Sequence, residues 1–260
     1  MTSGFSVQVE AVKASLYSRM AYRGDFFISI SLTFIFEFIT PLVTLLIYSN
    51  GSSFPGWTLY QVLLIQGVFM MSKGIAFMFF YGLVGNVLGG VQSGTFDMFL
   101  LRPRLVLFMA IATGFDSEEL GKFIGGLILF IVALIHLPTP SFIQWIQFIL
   151  LMITSLLVMF SFSLISSGVV FVWVGCSRVY EIFDSISSFG IYPRTIFSKG
   201  IQNIITFIVP IVMIGFFPAS ILLGKNINGV LFGVISSISF VLLSLCFWYW
   251  MLSKYTSAGC

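Results

Sequence analysis

"FFISISLTFIFEFITPLVTLLIY", residues 26–48, is an unbroken apolar run carrying one charge, Glu37. At about 1.5 Å of rise per residue such a run crosses the roughly 30 Å hydrocarbon core of a bilayer as a helix. It is too long for the 7–15 residue core of a secretory signal. With Glu10, Lys13, Arg19, Arg23 and Asp25 ahead of it, it reads as an uncleaved anchor. The rest of the chain has the same character: 58% hydrophobic, 8% charged, mean hydropathy +1.09. A soluble domain carries about 25% charged residues, so the composition predicts an all-α integral membrane protein.

Other function classes lose support on the same grounds. The net charge of +3 comes without a basic cluster, which argues against nucleic acid. Cys176, Cys246 and Cys260 are odd in number and widely spaced, supporting neither a disulfide framework nor a zinc site. G-x-S-x-G, S-x-x-K and H-E-x-x-H are absent, and so is the phosphate loop, since Gly121-Lys122 and Gly224-Lys225 are followed by Phe123 and Asn226. The single histidine, His136, has no catalytic partner in sequence and reads as an interfacial residue. The chain therefore carries no ATPase machinery of its own.

Further apolar runs fall at about 60–85, 123–137, 142–173, 201–223 and 229–251, giving six passes. Turn chemistry separates them at "NGSSFPG" (50–56), "PTP" (138–140) and "GKNING" (224–229). The opposite side receives Lys13, Arg19, Arg23, Arg102, Arg104, Lys122, Arg178 and Lys254, so the positive-inside rule makes it, with both termini, cytoplasmic. Over 7–23, Val9, Val12, Leu16 and Met20 recur with helical spacing and suggest an interfacial helix. Residues 201–223 contain Pro210 and Pro218, which bar a straight helix. Either this run is a kinked fifth span with 174–200 in the cytoplasm, or 178–193 spans and 195–224 dips in and returns. Hydropathy alone favours the first.

Several charges lie at membrane depth. Glu37 and Lys73 sit at matching depth on neighbouring passes, and because a lone charge there costs about 2.5–3.5 kcal/mol, a Glu37–Lys73 ion pair is expected. Glu181 and Asp184 share one helix face and are candidates for a pathway or interface. Asp116-x-x-Glu119, with Glu118 between them, precedes an apolar helix and matches a capping box. G-x-x-x-G spacings at Gly85/Gly89, Gly121/Gly125 and Gly229/Gly233 permit close helix contact without fixing an oligomer interface.

Between the second and third runs lies "GTFDMFLLRP", residues 94–103. Thr95 is placed to cap a short helix that Pro103 stops, with Phe96, Phe99 and Leu100 forming an apolar face. This segment resembles the G-x-x-D-x-x-L-L-R-P stretch of the small six-span permeases of the type-2 ABC exporter family. "YRGDFF" (22–27), "GWTLYQ" (56–61) and "IYP", "IVP" and "FPASILLG" between 191 and 224 agree in order and spacing. Arg104 departs from the pattern, which has an apolar residue after the proline.

The resemblance implies a permease dimer, of two identical chains or of this chain and a paralogue, embedded in the cell membrane. Two cytoplasmic ATPase subunits would hold the ATP and Mg, with no cofactor in this chain. Gly94, Thr95, Asp97, Leu101, Arg102 and Pro103 would form the coupling site to those subunits. It also implies an interfacial segment 1–25, then one permease domain, 26–260. That domain would have spans near 26–48, 60–85, 117–137, 142–173, 178–193 and 227–251, with 195–224 re-entrant from outside. Export of a drug, antimicrobial peptide or lipid-like molecule is the expected function. An ion-coupled transporter or channel, or a membrane-embedded enzyme, is the alternative.

Overall fold

The computed structural model describes residues 10, 12, 13, 17, 23–173, 178–225 and 229–257. Among them every regular element is helical. The interfacial helix expected over 7–23 falls almost wholly outside the described residues, as do Cys176 and Cys260.

Helix α1 runs Arg23–Ser49 with a break at Phe38. Pro41 has no N–H to offer the Glu37 carbonyl, so the ladder is interrupted and resumes with Leu42 N–H to Phe38 O. Helix α2, Leu59–Gln92, is the central rod, 83% buried along its most apolar stretch against 11% for α1. It widens to a π turn at Phe77–Tyr81. After it come two short helices, α3 (Asp97–Leu100) and α4 (Val106–Ala112), then α5 (Leu120–Ile135) and α6 (Phe142–Val170). Helix α7 (Val179–Ser187) extends by one 3-10 turn to Ile191. Helix α8 (Lys199–Asn203) continues as a π turn to Ile208; α9 is Phe216–Leu222 and α10 Val230–Leu252.

Among the described residues four helices, α1, α2, α6 and α10, are long and apolar enough to cross a membrane. The protein is an all-α membrane protein. At the positions of the expected third and fifth passes the helices are shorter, 16 residues in α5 and 9 in α7. At about 1.5 Å per residue α5 is about 24 Å long, because the chain ahead of it is unwound and Asp116 N–H turns onto Met78 O instead.

The α2/α5 pair is antiparallel and glycine-packed. A Cβ on Gly67 would lie 2.8 Å from Phe130 N, one on Gly126 2.6 Å from Met71 N, and one on Gly74 2.6 Å from Phe123 N. Missing side chains let the backbones touch, which gains dispersion contacts where lipid offers no hydrophobic drive. Of the anticipated G-x-x-x-G glycines, Gly121 and Gly125 meet α1, Gly233 meets Met213 and Phe217, and Gly85 and Gly89 meet nothing within 4 Å in the chain. Helix α10 lies along α6, with Phe247 and Trp248 over Gly168 and the Trp248 indole donating to Ser167 Oγ at 3.1 Å.

The bundle has two distinguishable ends. At the proximal end, residues 94–103 meet the last turns of α6 and α10, where Phe96, Phe171, Trp248 and Met251 form a second apolar cluster. At the distal end, Trp57 meets Thr195, His136 stacks on Tyr60 at 4.0 Å, and Gln144 lies against Gly224.

Candidate functional site

The proximal segment is built on a glycine turn and one anchor. Gly94, at φ +70°, takes the left-handed conformation that closes α2, and Phe96 N–H then reaches back to Gly90 O at 3.0 Å. Phe96 is thereby driven inward: it is fully buried, edge-on to Phe171 (5.0 Å) and Tyr255 (5.2 Å). With Phe96 inside, α3 presents Met98, Leu100 and Leu101 outward; Leu101 is 84% exposed.

The polar residues of this segment make local contacts, and the expected Thr95 cap is not among them. Thr95 does not cap α3 through its side chain, which pairs with Ser93 Oγ at 2.8 Å; its carbonyl accepts from Met98 N–H. Asp97 accepts from Ser257 Oγ, tying α3 to the C-terminal tail. Burial and the neighbouring Asp97 carboxylate push the Tyr255 hydroxyl above its ordinary range. Arg102 lies over the Phe99 ring at 5.6 Å, and Pro103 follows three residues after α3 has ended.

At mid-depth the expected Glu37–Lys73 pair is replaced by two others. Lys73 Nζ is 2.8 Å from Asp184 Oδ1; Lys122 Nζ is 2.8 Å from Glu119 Oε2 and 3.8 Å from Glu37 Oε1. The cause is the path of α1. Its first half crosses α5, where Gly121 packs directly against the Ile30 carbonyl, so Glu37 meets Lys122. Only its second half reaches α2, through Gln66 Nε2 donating to Thr44 Oγ1 at 2.7 Å. Both lysines also share the Phe77 ring, at 4.2 Å for Lys122 and 5.4 Å for Lys73. Asp184 is thus turned to α2, whereas Glu181 one turn earlier is exposed.

Lys122 and Glu119 were not anticipated in this network, and the capping box is corrected accordingly. Asp116 Oδ1 accepts from Glu118 N–H within a tight turn, while the Glu119 side chain goes to Lys122 instead of reaching back. The glycines of α5 were the available signal, since they let α1 approach Lys122. Among the described residues no group of three His, Cys, Asp or Glu side chains is placed to hold a metal ion.

The third feature is the broken stretch after α7. It leaves the distal end at Thr195, where the Trp57 indole donates to Thr195 Oγ1 at 2.8 Å, and returns there at Lys225, which donates to Gln61 Oε1 at 3.1 Å. Its middle lies deep: Ser72 Oγ donates to Ile214 O at 3.1 Å and Ser155 Oγ to Met213 O at 2.5 Å. Ser72 is 13 residues into α2, about 20 Å from the distal end. Pro210 sits in the break between α8 and the deep turn, and Pro218 in the first turn of α9, where a helix has no internal partner for its N–H. Serine hydroxyls therefore satisfy carbonyls that no helix ladder covers, as apolar surroundings demand.

A central helix tied by an ion pair to α7, a broken stretch buried against it and an exposed apolar knob at one end define a polytopic α-helical membrane protein. Residues 28–259 match the profile of the ABC-2 family transporter proteins, and the chain belongs to that family. It is accordingly the membrane subunit of an ABC transporter, a permease that works with an ABC ATPase rather than the ATPase itself. No curated protein matches the chain.

Proposed function

We propose that this permease is half of the membrane path of an ATP-driven exporter, and that the 94–103 segment is where the ATPase engages it. One observation carries the reading: α3 holds Met98, Leu100 and Leu101 exposed at the proximal end on a buried Phe96 anchor. Exposed apolar side chains on a rigid stub suit a protein cleft, since adaptable apolar knobs dock with large buried area. In this reading the proximal end and both termini face the cytoplasm, the partner holds ATP and Mg, and a second permease, identical or paralogous, completes the path. Six passes with 195–224 re-entrant from outside give the topology. A chain with 31 Phe and 11 Met suits amphipathic or apolar cargo, such as a drug, an antimicrobial peptide or a lipid-like compound. ATP binding would shift the dimer toward an outward-open state only through unequal affinity of the ATPase pair for the two states.

The test replaces Met98 and Leu101 by aspartate. Both side chains are exposed, so the permease is expected to fold and insert normally while co-purification of the ABC ATPase falls at least tenfold and ATP-dependent efflux of an amphipathic dye is lost. Unchanged ATPase recovery would overturn the assignment of this segment.

A further inference from the structure

The nine carboxylates of the chain, Glu10, Asp25, Glu37, Asp97, Asp116, Glu118, Glu119, Glu181 and Asp184, leave residues 38–96, 120–180 and 185–260 without an acid. The loops of the distal end come from these stretches, yet that end carries Arg194, Lys199 and Lys225. These cations stand at the two mouths of the broken stretch, Arg194 and Lys199 where it departs and Lys225 where it returns. Lys225 Nζ lies 3.4 Å over the Trp57 ring and donates to Gln61 Oε1 (3.1 Å) and Gly56 O (3.4 Å). The guanidinium of Arg194 reaches Phe217, 6.0 Å to the ring centre, and the turn at Gly229. Burial holds Arg194 and Lys225 below their ordinary values.

Two further features fix the level and the company of this patch. Tyr48, Trp57, Tyr60, His136 and Tyr192 ring the same end, and aromatic side chains of this kind mark the headgroup level of a bilayer. Beside them opens an apolar groove of about 670 Å³ between α1 and the start of α2, lined by Leu42, Leu45, Leu46, Tyr48, Ser49 and Leu59. Tyr48 joins groove to patch, its hydroxyl donating to Trp57 O at 2.8 Å. Cations at headgroup level over an acyl-sized groove have the polarity of one ligand.

We propose that the distal end binds a phospholipid with an anionic headgroup from the adjoining leaflet, its phosphate between Arg194 and Lys225 beside Trp57 and an acyl chain in the Leu42–Leu46–Leu59 groove. The third N–H of Lys225 supplies a donor to the phosphate, and Lys199 adds long-range attraction at the α8 mouth. Such a lipid would pin the mouths of the broken stretch, so binding stabilises the folded subunit by mass action.

The experiment uses the full chain in mild detergent and follows its unfolding midpoint against added phosphatidylglycerol, phosphatidylcholine of the same chain length, or inorganic phosphate. Phosphatidylglycerol is expected to raise the midpoint at lower concentration than phosphatidylcholine. Lys225→Gln and Arg194→Gln should each weaken that preference about fivefold, a typical worth of one interfacial cation. Lys225→Arg, which keeps charge and ring contact, should retain it, separating headgroup binding from local packing. Leu46→Trp, filling the groove, should weaken both lipids while leaving the headgroup preference intact. Equal response to the two lipids, a preference unaltered in both glutamine variants, or an equal effect of phosphate alone would overturn the proposal. So would disulfide cross-linking of Leu46→Cys between two permeases, which would give the groove to a second copy.

Discussion

Phe77 carries two lysines on one ring, and the acids those lysines meet join four helices: Asp184 on α7 to Lys73 on α2, Glu37 on α1 and Glu119 at the head of α5 to Lys122. A buried pair gains little over an apolar replacement but costs several kcal/mol when only one partner is removed. Asp184→Asn should therefore destabilise the protein by about 2–3 kcal/mol. Lys73→Met with Asp184→Leu should recover most of that loss, both read from thermal midpoints in detergent. Failure of the double variant to recover would mean that the pair sets geometry and is not merely compensated charge. Glycines give an independent contrast. Gly74→Ala places a methyl 2.6 Å from Phe123 N and should cost about 1–3 kcal/mol by forcing α2 from α5. Gly85→Ala, whose Cβ meets nothing within 4 Å, should be neutral or stabilise by up to about 1 kcal/mol through helix propensity.

At the scale of elements, what the sequence made legible divides along a physical line. Helical class, and the position of the long apolar helices, followed from hydropathy because a lipid-facing helix must be apolar along its whole length. The partners of Glu37 and Lys73 did not follow, because depth was readable but helix neighbours were not: Pro41 and Gly121 route α1 across α5 before α2. Thr95 misled for a related reason. Its side chain had a nearer partner in Ser93, and the turn was fixed by Gly94 and by burial of Phe96. Hydropathy also favoured a kinked span at 201–223, since a broken stretch buried in protein is as apolar as a span. Cysteine labelling separates the two readings in a background lacking Cys176, Cys246 and Cys260. Ser52→Cys and Ser198→Cys are both exposed and should react with a membrane-impermeant maleimide from the same side, opposite to Ser257→Cys. Labelling of Ser198→Cys together with Ser257→Cys would instead place 174–200 on the proximal side.

At the scale of the whole molecule, α2 touches each of these features. Its 34 residues extend about 51 Å, from Trp57 and the cationic patch at one end to the Gly94 turn at the other. Along the way it meets the deep turn at Ser72, the ion pair at Lys73 and, through the π turn at Phe77–Tyr81, the unwound segment at Asp116. α3 is fastened to this rod through Phe96, whose N–H reaches Gly90 O and whose side chain packs at Gly90, and Phe96 is held there among Phe171, Tyr255 and Phe99. If the ATPase docks on this segment as proposed, docking and force transmission rest on different side chains: Met98 and Leu101 are exposed, while Phe96 is buried in the bundle. Phe96→Ala removes the wedge at a stability cost of about 3–5 kcal/mol and leaves the outward knob unchanged in sequence. Measured in proteoliposomes with the ABC ATPase, this variant is expected to bind the ATPase within a factor of about three of the unaltered permease, while substrate moved per ATP hydrolysed drops at least tenfold. Phe96→Leu, which refills most of the cavity, should restore the ratio in part. Equal transport per ATP in the alanine variant would show that motion enters the membrane domain by another route than the α3–α2 joint.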